Sequence, residues 1–342
     1  MGLDEILQKC EDAKNLTIFD SFIKSAPKVK VKNRIVCSIS GGSDSDILLD
    51  IWTKLDVEKK TKYIFFDTGI EYEATKKHLD FLEKKYGIEI ERIKAITPVP
   101  LGCRKYGVPF WSKHVSEMIE RLQRHGFKWE DKPFEELYKE YPKCKVALQW
   151  WCNLHPNGAK SRFNISNIRG LKEYMIAHPI PFPASCKCCK GAKKNNAKRY
   201  LKEYDADLSL VGIRRSEGGV RAAAYKSCFD LAKDSESWDN YRPIFWFSDI
   251  DKEVYEKVFG VKHSDCYCKY GLSRTGCAGC PFGKDFENEL SIIKEYEPKL
   301  YKAVNKIFGA SYEYTRGFYE FRKGLFESNG STYRQMSIFE ME

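Results

Sequence analysis

Two features of membrane and secreted proteins are missing from the chain. No apolar run approaches the ~20 residues that a membrane-spanning helix needs. The start of the chain, MGLDEILQKCEDAKNLTIFD, is amphipathic and acidic, unlike a secretion signal. We therefore expect a cytoplasmic protein without a membrane partner.

Length and composition are those of a globular protein. With 342 residues and 42% hydrophobic content, the chain can bury one large core or two modest ones. A formal net charge of +10 indicates an anionic partner, either a nucleotide phosphate or a nucleic acid. The 13 cysteines, without a secretion signal, favour thiols, metal ligands or redox chemistry over a disulfide framework.

The glycine-rich stretch after the first apolar run lacks the spacing of the common phosphate motifs. A Walker loop needs four residues between its glycines and then Gly-Lys-Ser/Thr, and the dinucleotide fingerprint needs three spaced glycines. Residues 34–50 instead form RIVCSISGGSDSDILLD. This pattern predicts a buried parallel strand, a tight turn, and a helix whose free amides and dipole attract phosphate. The candidate phosphate-binding residues are Ser40, Gly41, Gly42, Ser43, Asp44 and Ser45.

Two further apolar runs predict strands that end at the same edge of the sheet. They are Tyr63–Phe66 and Leu208–Val211. Because ligands of doubly wound sheets lie at the carboxyl ends of the strands, the residues that follow are expected beside the first loop. The arginines among them suit a phosphate or sulfate group, with exposed loop charges as the alternative. The residues predicted to line the nucleotide site here are Asp67, Thr68, Gly69, Gly212, Arg214, Arg215 and Arg221.

Cysteines in two distant segments are candidate metal ligands. Cys277 and Cys280 form a CxxC turn, in which both sulfurs can face one metal ion or cluster edge. Cys188 and Cys189 are adjacent and form a second half. Three alternatives stay open: Cys186 in place of one of the pair, a local zinc site, or buried free thiols. The zinc site would combine the CxxC turn with Cys266 and Cys268, and the isolated thiols predicted to serve only packing are Cys10, Cys37, Cys103, Cys144, Cys152 and Cys228.

Five segments, in family order, resemble the phosphoadenylyl-sulfate (PAPS/APS) reductase-like family of the PP-loop ATP pyrophosphatases, which are adenine nucleotide alpha hydrolase-like proteins. They are SGGSDS at 40–45, DTG at 67–69, GIRRSEGGVRA at 212–222, YRPIFWFSDI at 241–250, and the split Cys-Cys and CxxC pattern. The resemblance implies an α/β fold with a doubly wound, mostly parallel sheet, a cysteine-rich insertion and a helical C-terminal region. It also implies a [4Fe–4S] cluster on Cys188, Cys189, Cys277 and Cys280, with zinc as the alternative.

The predicted organisation has three parts. Residues 1–30 form an N-terminal helical brace, with a helix over 4–13 and an extended lead into the sheet. Residues 31–283 form the nucleotide-binding domain, interrupted at 98–181 by an irregular insertion whose tryptophans indicate a small core or base-stacking platforms. Residues 284–342 form a helical region, which suits a nucleic-acid substrate together with the basic segment 187–202.

One departure from the family decides between its reactions. The reductases carry a nucleophilic cysteine in a C-terminal K-x-E-C-G-x-H tail, whereas the last cysteine here is Cys280. We therefore favour an ATP-dependent sulfur-transfer enzyme that adenylates an acceptor and then thiolates it, with Asp44 and Arg215 as catalytic residues. The alternatives are a sulfonucleotide reductase acting on PAPS or APS and a nucleotide-sensing module without turnover. Expected partners are an adenine nucleotide and a tRNA, a DNA or a sulfur-donor protein, while Mg²⁺ and a homodimer stay open.

Overall fold

The computed structural model describes residues 2–155, 161–218, 224–234, 237–283 and 285–328. These residues fall into two units. Unit 1 comprises Met1–Ile96 and Ala192–Cys277, and unit 2 comprises Thr97–Gly191 and Ala278–Glu342. The three-part organisation expected from the sequence stays a prediction, because the compact units divide the chain by spatial contact and not by function.

Helices make up most of the regular structure. In chain order they are α1 (Leu3–Asp12), α2 (Leu16–Val31), α3 (Ser43–Leu55), α4 (Glu73–Tyr86), α5 (Val99–Tyr106), α6 (Lys113–Arg124), α7 (Phe134–Glu140), α8 (Lys145–Trp151), α9 (Leu171–Ala177), α10 (Lys187–Cys189), α11 (Asn195–Glu203), α12 (Asp249–Phe259), α13 (Asp265–Cys268), α14 (Phe286–Tyr296) and α15 (Pro298–Ser328). Lys190–Lys194 forms a π-helical turn between α10 and α11. Within the described part of the chain, no helix combines the length and the apolar character needed to cross a membrane.

Unit 1 is built on one six-stranded sheet with the strand order β3-β2-β1-β4-β6-β5. Its strands are β1 (Ile35–Ser38), β2 (Thr61–Asp67), β3 (Ile90–Lys94), β4 (Leu208–Val211), β5 (Phe229–Asp230) and β6 (Asp239–Tyr241). Every neighbouring pair is parallel except β5 and β6, which are antiparallel. In the register of β1, Ile35 lies opposite Thr61 of β2 and Leu208 of β4. The predicted α/β class with a doubly wound, mostly parallel sheet is confirmed.

Both faces of this sheet are covered by apolar side chains. Ile35 and Cys37 of β1 pack in one cluster with Leu48 of α3. Val36, between them, packs in another cluster with Leu201 of α11. Because successive residues of a strand point to opposite faces, this alternation buries β1 on both sides. Such burial is what a parallel sheet between two helix layers requires.

The N-terminal segment is helical throughout, so the predicted extended lead into the sheet is wrong. The side chain of Asn15 accepts a hydrogen bond from the Ile18 backbone N–H at 3.0 Å and begins α2. Ile18 and Phe22 are buried in a cluster with Ile51 of α3, and this packing stabilises a helix that contains Pro27. Lysine and valine alternate at the end of α2, a pattern typical of a strand, but tertiary packing overrides that local pattern.

Unit 2 has its own apolar core. The stretch 98–181, expected to be irregular, contains α5 to α9, and α14 and α15 belong to the same unit. Trp150 and Trp151 of α8 are fully buried beside Leu171 of α9 and Phe318 of α15. The tryptophans therefore form the core of this unit, which was one of the two predicted roles. The helical C-terminal region is also confirmed.

Candidate functional site

The strand order places the reversal of winding at β1 and β4. From β1 the chain proceeds to β2 and β3 on one side, and β4 and β6 lie on the other. In doubly wound sheets the ligand lies at this reversal, in the crevice outside the carboxyl ends of the strands. Two predicted segments follow these two strands: residues 40–45 after β1 and Gly212 after β4. The sheet therefore brings them to one edge.

Residues 40–45 form a tight turn that requires a glycine at position 41. Its φ is +68°, and a Cβ there would lie 2.6 Å from Cγ2 of Thr75. The Ser40 N–H donates to Ser45 Oγ at 3.0 Å, and the Gly42 N–H lies 3.4 Å from Ser40 Oγ. Ser43 then begins α3, with no side-chain cap from the preceding residue. The positive end of the helix dipole thus faces the crevice, as an anion site requires.

Gly212 passes directly against this loop. A Cβ at Gly212 would lie 3.0 Å from the carbonyl oxygen of Asp44 and 3.2 Å from the backbone nitrogen of Ser45. A larger residue would displace backbone atoms, which cannot rotate away. Gly212 therefore allows the end of β4 to pack closely on the loop at 40–45.

Arg214 is buried in an ion-pair network instead of lying open at the crevice. Its Nε donates to Asp44 Oδ1 at 2.9 Å, and its Nη1 donates to Asp249 Oδ1 at 2.7 Å. Burial by itself lowers the pKa of Arg214, but the two carboxylates outweigh that effect and leave the pKa raised. The network ties the end of β4 to the first turn of α3. The predicted role of Arg214 as an anion ligand stays a prediction.

Lys252 of α12 is a second cation at the loop, which the sequence reasoning missed. Its Nζ lies 3.2 Å from Asp44 Oδ1 and donates to Ser43 Oγ. The only signal in the sequence is its position one turn into the helix after the segment YRPIFWFSDI. The observed contacts of Asp44 are with two cations, and its predicted catalytic role stays a prediction.

The other predicted arginines have different environments. Arg215 is exposed, and its guanidinium carbon lies 5.5 Å from the ring centroid of Trp246. Its backbone N–H donates to the carbonyl of Phe245 at 2.8 Å. Arg221 lies outside the described residues. The roles of Arg215 in phosphate binding and catalysis stay predictions.

The turn after β2 is closed by Glu71, which the sequence reasoning also missed. Thr68 is fully buried, and its N–H and hydroxyl donate to Glu71 Oε1 at 2.8 and 2.5 Å. The Gly69 N–H donates to Asp67 Oδ1 at 2.9 Å and lies 3.0 Å from Glu71 Oε2. Burial raises the pKa of Glu71. This turn holds Asp67 at the edge of the sheet, where it was predicted to line the nucleotide site.

A hydroxyl group from a distant segment lies against the end of the loop at 40–45. Tyr267 of α13 accepts a hydrogen bond from the Ser43 N–H at 3.1 Å. It also accepts one from the Thr275 N–H at 3.2 Å, and its hydroxyl lies 3.0 Å from Thr275 Oγ1. No motif in the sequence points to these two residues.

A buried carboxylate and two histidines lie behind the first turn of α3. Asp46 is fully buried, and its Oδ2 lies 3.0 Å from His78 Nε2 and 2.8 Å from His263 Nδ1. The other nitrogen of His263 lies 2.9 Å from Glu256 Oε1. Burial opposes protonation of His263, but hydrogen bonds to the two carboxylates raise its pKa to about 9. The imidazolium is therefore the stable form near neutral pH and joins α3 to the end of α12.

The predicted cluster ligands are divided between the units: Cys277 ends unit 1, and the other three belong to unit 2. The neighbouring Cys103 thiol and burial raise the pKa of the Cys188 thiol, and a Cβ on Gly102 would lie 3.2 Å from the Cys188 Cα. Cys103, expected to serve only packing, thus lies beside the predicted pair. Among the described residues, no group of three or more His, Cys, Asp or Glu side chains is arranged to hold a metal ion. Thiols are the ligands of iron–sulfur clusters and zinc, so their chemistry fits the predicted group, and the four-cysteine site stays a prediction.

Comparisons with known proteins find a family model and two relatives that are similar to parts of the chain. Residues 34–149 match the family model described as phosphoadenosine phosphosulfate reductase domain. An uncharacterized 37.8 kDa protein of Escherichia phage 186 is 29% identical over 252 residues, which cover 72% of this chain and 66% of that protein. An uncharacterized protein of Methanocaldococcus jannaschii is 26% identical over 282 residues, which cover 82% of this chain and 42% of that protein. The chain thus spans less than two thirds of the length of each of these relatives.

Two solved structures align with the chain at low similarity. Phosphoadenylyl-sulfate reductase from Candida auris, in its phosphate complex, aligns with a TM-score of 0.40 and 14% identity over 75% of this chain and 86% of that one. The U34-tRNA thiolase NcsA from Methanococcus maripaludis, with its [4Fe-4S] cluster, aligns with a TM-score of 0.36 and 14% identity over 88% of this chain and 80% of that one. The family match spans the loop at 40–45 and the strand end at 67–69. Residues 34–149 are therefore similar to the phosphoadenosine phosphosulfate reductase domain.

Proposed function

We propose that the chain is an ATP-dependent sulfur-transfer enzyme that binds an adenine nucleotide at residues 40–45 and thiolates an acceptor. The observation that supports the proposal is the position of this loop at the reversal of the sheet, packed on Gly212. The positive helix end favours a phosphate group there. Lys252 adds a cation beside Ser43.

In this proposal the chain's own groups bind and orient the nucleotide. The backbone amides at the start of α3 bind the phosphates, and Asp67 lies on the side of the adenosine. An acceptor oxygen attacks the α-phosphorus of ATP, and pyrophosphate leaves. A sulfide-level sulfur from a separate donor then attacks the activated acceptor atom, and its bond to oxygen breaks with release of AMP. Lys252 opposes the negative charge that develops during the first step, and Arg214 keeps Asp44 from repelling the phosphates. Sulfonucleotide reduction at the same nucleotide site is the alternative reaction.

The cysteines would hold the cofactor of the proposed reaction. Cys188, Cys189, Cys277 and Cys280 supply sulfur ligands of the type that a [4Fe–4S] cluster needs. When bound, such a cluster supplies iron that can take up and orient sulfur. A nucleic-acid acceptor is supported by the net charge of +10 and by exposed cations in and beside α11, which include Lys193, Lys194 and Lys198.

The test is release of pyrophosphate from ATP by anaerobically purified protein, alone and with tRNA or DNA. We expect release that depends on the acceptor, and thionucleosides in the digested acceptor by mass spectrometry. Lys252→Ala should slow release, whereas Lys233→Ala, at an exposed position of unit 1, should not. Sulfite release from PAPS or APS would favour the reductase instead. ATP binding without pyrophosphate release under any condition would favour a nucleotide-sensing module.

A further inference from the structure

The hydroxyl of Tyr267 lies where the phosphate loop offers its hydrogen-bond donors. The N–H groups of Ser43 and Thr275 both donate to this oxygen, at 3.1 and 3.2 Å. The Thr275 hydroxyl lies 3.0 Å from it. Backbone N–H groups from two separate segments thus converge on one oxygen atom at the start of α3.

The position is also shaped to exclude a side chain of the loop itself. A Cβ on Gly42 would lie 3.3 Å from the Tyr267 hydroxyl and 3.2 Å from Thr275 Oγ1. Two N–H groups, a hydroxyl and an adjacent glycine are what a phosphate oxygen needs around it. An anionic oxygen would also bind these donors more strongly than a neutral phenol does, since charge-assisted hydrogen bonds are shorter and stronger.

We propose that the Tyr267 hydroxyl occupies a phosphate-oxygen position, and that a nucleotide phosphate displaces it and binds the N–H and hydroxyl groups of Thr275. The inference rests on the proposed function, because it needs a phosphate at residues 40–45. It adds Thr275 to the phosphate-binding residues and assigns Tyr267 as a group that competes with the nucleotide. The ligand class is a nucleoside polyphosphate or sulfonucleotide.

The segment that follows Tyr267 contains several exposed residues. Cys266 is fully buried, with its sulfur 3.7 Å from Thr75 Oγ1, and fixes one end of the segment. The backbone beyond it is exposed at Lys269, Gly271 and Arg274. A Cβ on Gly271 would meet no atom within 4 Å. Exposed segments with few buried apolar contacts open locally without unfolding the core.

The experiment measures ATP affinity by calorimetry in wild-type protein, Tyr267→Phe and a matched control. The control is Tyr204→Phe, which removes a hydroxyl from a tyrosine of unit 1 whose ring stacks on Tyr200. Loss of one competing hydrogen-bonded hydroxyl should tighten ATP binding roughly three- to ten-fold in Tyr267→Phe and leave the control unchanged. Thr275→Val, which loses the hydroxyl but keeps the N–H, should weaken binding about three-fold or more.

Each other result has one meaning. Equal affinity in wild-type protein, Tyr267→Phe and Tyr204→Phe would overturn the displacement and leave the proposed nucleotide site intact. Weaker binding by Tyr267→Phe would also overturn it, because the hydroxyl would then contact the nucleotide directly. Absence of ATP and PAPS binding in all folded proteins, wild type included, would overturn the proposed function and this inference with it. Thermal unfolding of each variant checks that the fold is retained.

Discussion

Gly212→Ala tests whether the end of β4 supports the phosphate loop. The added methyl carbon would lie 3.0 Å from the Asp44 carbonyl oxygen and 3.2 Å from the Ser45 nitrogen, so the loop must move by a few tenths of an ångström. Overpacking of this kind typically costs about 1–3 kcal/mol. A cost of ~1.4 kcal/mol taken up by the loop corresponds to about ten-fold weaker nucleotide binding. We therefore expect a folded variant that binds ATP roughly ten-fold less tightly.

The assay pairs calorimetric titration of ATP with urea unfolding. The control is Gly309→Ala in the helix α15, where an added Cβ meets no atom within 4 Å. This control should keep its nucleotide affinity and gain up to ~1 kcal/mol of stability, because alanine favours the helix. Unchanged affinity together with unchanged stability in Gly212→Ala would refute the close packing of β4 on the loop.

Three further predictions concern charge and sulfur. The pKa of His263 is raised from 6.5 to about 9, so its contribution to the free energy of unfolding is full below pH 6.5 and is lost as the pH rises through 9. Urea unfolding at several pH values should show this loss in wild-type protein, and His263→Gln should abolish this part of the pH dependence. Arg215→Ala should weaken binding of PAPS or ATP roughly ten-fold, and Arg215→Lys should not restore the affinity if the contact is bidentate. Equal affinities in wild-type protein and both variants would show that Arg215 is only an exposed side chain beside Trp246. Cys277→Ser should abolish the visible absorbance and labile sulfide of anaerobically prepared protein, whereas Cys228→Ser should not; a colourless wild-type protein that contains zinc would contradict the cluster.

The central strands of the sheet could be predicted because each is a short apolar run in the sequence. The strand β4 was predicted as Leu208–Val211 and observed with the same bounds, because a short apolar run between polar turns has few other interpretations. The strands β5 and β6 have two and three residues and no periodicity that a sequence could show. The helix α2 was not predicted because its last residues alternate between apolar and charged, as in a strand. Its buried face is set by contacts with α3, which the local sequence does not show.

In the candidate site, residues of local motifs could likewise be predicted, whereas residues contributed by distant segments could not. The two glycines could be recognised in the sequence. The structure explains both, because the positive φ at Gly41 and the close approach at Gly212 favour glycine over any larger residue. The groups that complete the site come from segments far apart in sequence, and Lys252 and Tyr267 each belong to a helix without a motif. Glu71 is only three residues from Thr68, but no sequence pattern identifies its carboxylate as the acceptor of the Thr68 N–H. Only the folded chain removes Arg214 from solvent. The residues at the strand ends were therefore predicted at the correct edge of the sheet, but their hydrogen-bond and ion-pair partners were not predicted.

The charges at the loop limit how it can bind a nucleotide. Arg214 and Lys252 supply two positive charges, and they contact the carboxylates of Asp44 and Asp249. These four side chains together are neutral, so by themselves they cannot balance a polyphosphate, which carries several negative charges. The helix dipole contributes only about half a charge at its N-terminus. Two sources can supply the remaining positive charge: other basic side chains, of which Arg215 is one, or a divalent cation bound with the nucleotide. Binding of ATP measured with and without Mg²⁺ separates these sources, since only the last one disappears on chelation.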